Sequence, residues 1–225
     1  VLDHKGSPTG VLKENAMGLA GTGKYEDRDD PVVQERRVML ALKQAAKVGV
    51  TSVTDIGGYT GLMEKLAREE KLTARINFSP SLTADVRQLI KYEALQAAWE
   101  QYPKLKFGYL KAFMDGTLGS ATAALFKPFN DHPSTSGLLV QTVEEITNKV
   151  RVADRRGFQI GIHAIGTRAN RIVLDAFQQA IVENGRRDSR HRIEHSQILT
   201  AIDIPRFGAL GVIASMQPTH CITDR

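Results

Sequence analysis

The sequence predicts an α/β fold: a TIM-type (β/α) barrel, incomplete, with about six of eight βα units and lacking the first and last strands. Three observations carry that prediction. Short β-branched runs alternate with longer runs of helical periodicity, which implies a parallel sheet. Polar or titratable residues stand at the C-terminal ends of the strands, at Asp55, Asp115, His163, His195 and Gln217. A barrel gathers such ends at one mouth, whereas an open doubly wound sheet spreads them along an edge. Finally, no internal repeat or low-complexity linker divides the chain, and 225 residues with 42% hydrophobic content suffice for one core.

The elements follow in order. Residues 32–47 (VVQERRVMLALKQAAK) place Val33, Arg37, Leu40 and Gln44 on one stripe and Val32, Val38, Leu42 and Ala45 on another, in good helix formers, and Gly49 ends the helix. The run 50–56 (VTSVTDI) is β-branched and bounded by glycines, hence a strand. Helical spacing returns at 60–71, a strand at 74–79, a helix at 84–101 and a strand at 106–114, followed by a long loop to Leu138. A helix over 142–156 opens on Thr142, with Glu145 three residues on as the reciprocal half of a capping box. The strand 158–164, the helix 168–184, the strand 191–196, a helix 200–209 opened by Thr200, and the strand 211–217 complete the pattern. Residues 31–225 thus form the βα units, and 1–30 read as a lid or insertion segment of the same partial domain.

Composition narrows the partners. No stretch reaches the roughly 20 consecutive apolar residues that span a bilayer, so no membrane partner is expected. The lone Cys221 forms no internal disulfide and suits a reducing compartment, so a cytoplasmic location is the expectation. Net charge is +5, and the richest basic stretch, Arg186 to Arg192 (RRDSRHR), is interrupted by Asp188 and carries no stacking aromatics. It reads as a solvated loop between a helix and a strand, so no nucleic-acid partner is expected. Residues 18–24 (GLAGTGK) match a phosphate-binding loop up to the lysine, but Tyr25 stands where Ser or Thr should hold Mg²⁺, and the preceding residues look helical. Nucleotide binding is therefore rejected.

In FQIGIHA, Ile160, Ile162 and Ala164 fall on one face of a strand, and Gln159, Gly161 and His163 on the other, which aims His163 into the barrel mouth. One such histidine is more often structural than a ligand. His195 repeats the placement one βα unit later, sharing a face with Ile193, and two neutral imidazoles at matching strand ends suit Zn²⁺ or a similar divalent ion. Glu194 and Gln197 are available to bond their other ring nitrogens. Lys111 lies in an apolar strand, where an ammonium ion is costly. Either it pairs with Asp115 on the same face, or its desolvated amine takes up CO₂ to form an anionic carbamate able to bridge metals.

The blocks PTGVLKENA (8–16), GVTSVTDIGG (49–58), LKAFMDGTLGSATAAL (110–125), IHAIGTRAN (162–170), HRIEHSQ (191–197) and ASMQPTHCITD (214–224) resemble the YtcJ-like branch of the amidohydrolase superfamily, amidohydrolase family 3, which includes N-substituted formamide deformylase. That resemblance implies a metal-dependent hydrolase with one or two divalent ions, zinc foremost, in which Lys111 is the carbamate bridge and His163 and His195 are metal ligands. Asp115, Gln217 and His220 would contact substrate. It implies a metal-bound hydroxide attacking small N-acyl or N-formyl substrates at C–N bonds, an eighth-strand aspartate moving the proton. This chain has no His-x-His pair and no eighth strand, and Asp224 follows the seventh strand rather than replacing that aspartate. Thr167 and Ala121 stand where the family usually has Asp and Arg. The alternatives are an inactive barrel fragment serving as a metal-binding or oligomeric scaffold, and an esterase or lactonase using the same site. Two unpaired edges leave a longer protein or a homo-oligomer as ways to complete the barrel.

Overall fold

The computed structural model describes residues 1–2, 5–12 and 30–223. The GLAGTGK stretch, most of the 1–30 segment and Asp224 lie outside the described residues. Among the described residues the elements run α1 (Pro31–Lys47), β1 (Ser52–Ile56), α2 (Thr60–Arg68), β2 (Arg75–Ser79), α3 (Val86–Trp99), β3 (Leu105–Phe107), β4 (Leu110–Phe113), α4 (Val143–Arg155), β5 (Ile160–Ala164), α5 (Thr167–Asn184), β6 (Arg192–His195), α6 (Ile204–Leu210), β7 (Ile213–Ser215) and α7 (His220–Thr223). All paired strands are parallel, in the orders β1-β2-β3 and β4-β5-β6-β7. The expected α/β alternation is present; among the described residues the strands form two sheets and do not close into a ring.

Local chemistry sets the boundaries. Asp30 accepts from the Val32 amide at 2.7 Å with Pro31 beginning α1, and Gly49 at φ +76° turns the chain away after it. Thr142 and Glu145 form the expected capping box at α4. Two expectations need correction. The strand 106–114 is divided: the Gly108 amide donates to the Phe78 carbonyl at 2.7 Å, and a Cβ there would lie 2.7 Å from the Ser79 hydroxyl, so the chain hugs β2 before β4 takes up pairing with β5. The α6 helix starts at Ile204 rather than Thr200, because Pro205 has no N–H to donate back to residue 201. The Thr200 hydroxyl instead donates to Asp203 at 2.7 Å.

Register assigns the faces of the larger sheet. Lys111, Gly161 and Arg192 sit side by side, as do Phe113, His163 and Glu194, and these line the inner face. Leu110 with Ile160, and Ala112 with Ile162 and Ile193, point the other way into a core shared with α3, α4, α5 and α6. Burying each large aliphatic side chain there contributes ~1.5–3 kcal/mol. A second core gathers Leu42, Met63, Leu66, Phe78 and Trp99 behind β1–β3. Phe107 packs against both, its ring 6.4 Å from Trp99 and 5.8 Å from Phe158.

Candidate active site

The C-terminal ends of β4 to β7 bring most of the residues singled out in the sequence to one place. The rings of His163 and His195 lie 4.6 Å apart between centroids, and those of His195 and His220 5.9 Å apart. Phe113 lies 5.4 Å from His163, and the Lys111 ammonium sits 3.9 Å from the Phe113 ring centroid. Gln217 bonds His195 directly, its Oε1 2.8 Å from Nδ1.

Tautomers follow from the partners. The Gly116 carbonyl can only accept, so His163 donates through Nε2 at 2.9 Å and keeps its lone pair on Nδ1. His195 likewise donates Nδ1–H to the Gln217 carbonyl oxygen and keeps Nε2 as the lone-pair nitrogen. Burial pushes the His163 imidazole down to about 4, against the Gly116 carbonyl, which favours its charge, and with help from His195 and Lys111. A neutral imidazole is the form that ligates metals. Burial also brings the Lys111 ammonium down to about 8, with the Glu194 carboxylate acting in the opposite sense.

Lys111 does not find its counter-charge in Asp115. Its Nζ donates to the Ala112 carbonyl at 2.9 Å, and Glu194 is the carboxylate that favours its charge. Asp115 is 2% exposed, and its oxygens accept from the amides of Ala124, Ile165 and Gly166 at 2.8–3.0 Å. What the structure gives Asp115 is therefore an anchor of the 115–124 loop to the turn after β5. Of the two residues expected to support His163 and His195, Glu194 acts on His163 through its charge. Glu194 accepts from Arg192 at 2.6 Å, and Gln197 bonds Nδ1 of His220 at 3.0 Å. Thr167 accepts from the Phe126 amide at 3.1 Å, tying the long loop to the start of α5.

His195 reaches the mouth by a route that strand alternation does not describe. Its register partner is Ala164, on the core face, so period two alone sends its side chain toward the helices. His195 instead takes φ +77° and Ser196 φ +43°, left-handed values that cost of order 1–3 kcal/mol each in residues other than glycine. Sequence reasoning also passed over Phe113, although its period-two spacing from Lys111 signalled a shared face. It passed over the Gly116 carbonyl too, which no local signal marks.

A family model described as the amidohydrolase family matches residues 1–225. The chain belongs to the amidohydrolase family. Protein LONG AFTER FAR-RED 3 of Arabidopsis thaliana is 35% identical to it over 97% of this chain and 39% of its own length. The putative amidohydrolase YtcJ of Bacillus subtilis is 31% identical over 100% of this chain and 42% of its own length. Among solved structures, a metal-dependent hydrolase of Pyrococcus horikoshii aligns with TM-score 0.76 at 29% identity, covering 99% of this chain and 44% of that one. The chain thus spans about two fifths of the length of these relatives.

In this member of the amidohydrolase family, His163 and His195 match a divalent ion in kind, as imidazoles each with one ring nitrogen tied by a hydrogen bond. Among the described residues, no group of three or more His, Cys, Asp or Glu converges to hold one. Lys111 is the other candidate at the same mouth. The basic stretch runs from an irregular segment between α5 and β6, in which Arg186, Arg187, Asp188 and Arg190 are exposed as expected of a solvated loop, to Arg192 in β6; Arg187 also donates to Asp154 and Arg192 to Glu194. Among the described residues no helix is long and apolar enough to cross a membrane.

Proposed function

We propose that this chain is an arc of a TIM-type barrel from a metal-dependent hydrolase that cleaves amide-like, non-peptide C–N bonds of small N-acyl or N-formyl substrates. The observation that carries the reading is the pair His163 and His195, brought to 4.6 Å from consecutive strand ends with a lone pair fixed on each ring. A divalent ion, zinc foremost, would be held by His163, His195 and Lys111, and it would supply polarisation of a carbonyl and of a water. Lys111 fits the carbamate role because its amine, near 8, is partly neutral at neutral pH and so open to CO₂. Gln217 orients His195 and, with His220, borders the place where a small substrate would lie. The family membership supports the reaction class, and the metal-dependent hydrolase neighbour supports the ion.

A second reading, an inactive metal-binding or oligomeric scaffold, is favoured by the absence of a third His, Cys, Asp or Glu converging on the pair among the described residues. Metal content per chain separates the two. We expect near-stoichiometric zinc in the wild type, lost in both His163→Ala and His195→Ala, together with hydrolysis of a formamide by the loaded wild type. Metal without hydrolysis selects the scaffold. Absence of metal from the wild type overturns the hydrolase reading and the metal-binding scaffold, and leaves the oligomeric one.

A further inference from the structure

We infer that Ser196 is a positioning residue, whose buried hydroxyl holds the His195 imidazole in the mouth rather than against the helices. The inference rests on the ligand role proposed for His195. In β6, Arg192 and Glu194 are in register with Gly161 and His163 on the inner face, while Ile193 and His195 are in register with Ile162 and Ala164 on the core face. Neighbours in register on a parallel sheet point to the same side. His195 therefore enters its position from the wrong side of the strand, yet its ring lies 4.6 Å from that of His163. The two consecutive left-handed residues, His195 and Ser196, accomplish the turn.

Such a backbone persists only where its surroundings fix it. Ser196 is 0% exposed and its hydroxyl donates to the Ile193 carbonyl at 3.0 Å, bridging the turn from its far side back to the strand. Two residues on, the Ile198 amide donates to the Ile165 carbonyl at 3.0 Å, and Asn170 donates to the Ile198 carbonyl at 3.4 Å, so the exit of the turn is tied to β5 and α5. The Gln217 bond to Nδ1 orients the ring once it has arrived but does not turn the backbone. Ser196 thus supplies the side-chain bond that closes the turn itself.

The test compares the wild-type chain with Ser196→Ala and Ser196→Gly, after melting curves establish that all three fold. In histidine-labelled protein the wild type shows a cross-relaxation peak between the rings of His163 and His195. In Ser196→Ala, which loses the hydroxyl but keeps the steric penalty at φ +43°, that peak falls at least threefold. Ser196→Gly, which loses the hydroxyl and the penalty together, lies between. Titration with Co²⁺ follows the same order, with Ser196→Ala weakened about tenfold, the scale of losing a group that orients a ligand. An unchanged ring-to-ring peak in Ser196→Ala, or its absence from the wild type, overturns the proposal. If the peaks follow the order but no variant binds Co²⁺, the positioning role stands and the metal-dependent reading falls.

Discussion

Two histidines near opposite ends of β6 are used in opposite ways. His191, just before the strand, is 3% exposed and saturated: Nδ1 accepts from the Ile160 amide at 3.2 Å, Nε2 donates to Asp154 at 3.0 Å, and the ring stacks on Phe177 at 4.7 Å. Asp154 in turn accepts from Asn184 at 2.8 Å and Arg187 at 2.7 Å. His195, four residues on, sits on a left-handed backbone among other imidazoles, its ring bonded through Nδ1 to Gln217. The difference separates a hydrogen-bonded network at the N-terminal end of the strands from the proposed site at the C-terminal end, where two consecutive residues take left-handed backbone values.

The contrast breaks most visibly at Asp154. Replacing it with Ala leaves His191 Nε2 without its acceptor and takes one acceptor each from Asn184 and Arg187, which keep bonds to backbone carbonyls; the expected cost is about 3–5 kcal/mol, the range for removing one partner of a buried charged network. Urea unfolding measures it, with metal content at the mouth unchanged if the chain still folds. A loss below about 1 kcal/mol would show that the lower end is not the anchor proposed here.

Acid probes the same network without mutation. Burial alone would raise the Asp154 carboxyl, but hydrogen bonds from His191 and Asn184 and the Arg187 charge outweigh it and hold the group near 2 against its ordinary 3.8. Between those values the unfolded chain binds more protons than the native one, so stability present above pH ~4 is lost as pH falls toward 2, on the order of 2–3 kcal/mol. Burial keeps His191 below its ordinary 6.5, despite Asp154, so the unfolded chain also takes up that proton first and stability begins to decline as pH falls through about 6.5. Unfolding midpoints from pH 7 to 2, beside Asp154→Asn, are expected to show the lower limb only in the wild type.

Between the two ends, Gly161 marks where the inner face has no room. A Cβ there would run into the Tyr109 ring, which lies over it beside Arg192. Gly161→Ala is expected to cost about 1–3 kcal/mol by overpacking, and thermal unfolding measures it. A neutral effect would mean that Tyr109 swings clear.

How much of this the sequence showed depends on the kind of signal. The alternation of elements, the Thr142–Glu145 cap and the inward face of His163 are local, set by spacings of two to four residues. Convergence at one mouth was legible because polar residues recur at strand ends. The path of His195 was not, since a left-handed histidine breaks the alternation used to read it. The partners of Asp115 and Asp154 were invisible for another reason. Ile165 and Gly166 lie fifty or more residues from Asp115, and His191 lies 37 from Asp154, distances over which no periodicity reaches.

The smallest expected effect sharpens the contrast most. His195→Ala removes a half-exposed ring that bonds a neighbour also at the mouth, and fills no core space, so its stability change should stay within about 0.5 kcal/mol of zero. At the other end of the strand, His191→Ala opens a cavity against Phe177 and leaves Asp154 short of a donor, for an expected loss of about 2–4 kcal/mol. Measuring both in one urea series on metal-free protein, where bound zinc adds nothing to stability, with zinc content recorded separately, puts the two ends on one scale. Loss of zinc without loss of stability at residue 195, and the reverse at 191, is the pattern that the geometry requires. Equal stability losses at the two positions would mean that the mouth is as structural as the floor.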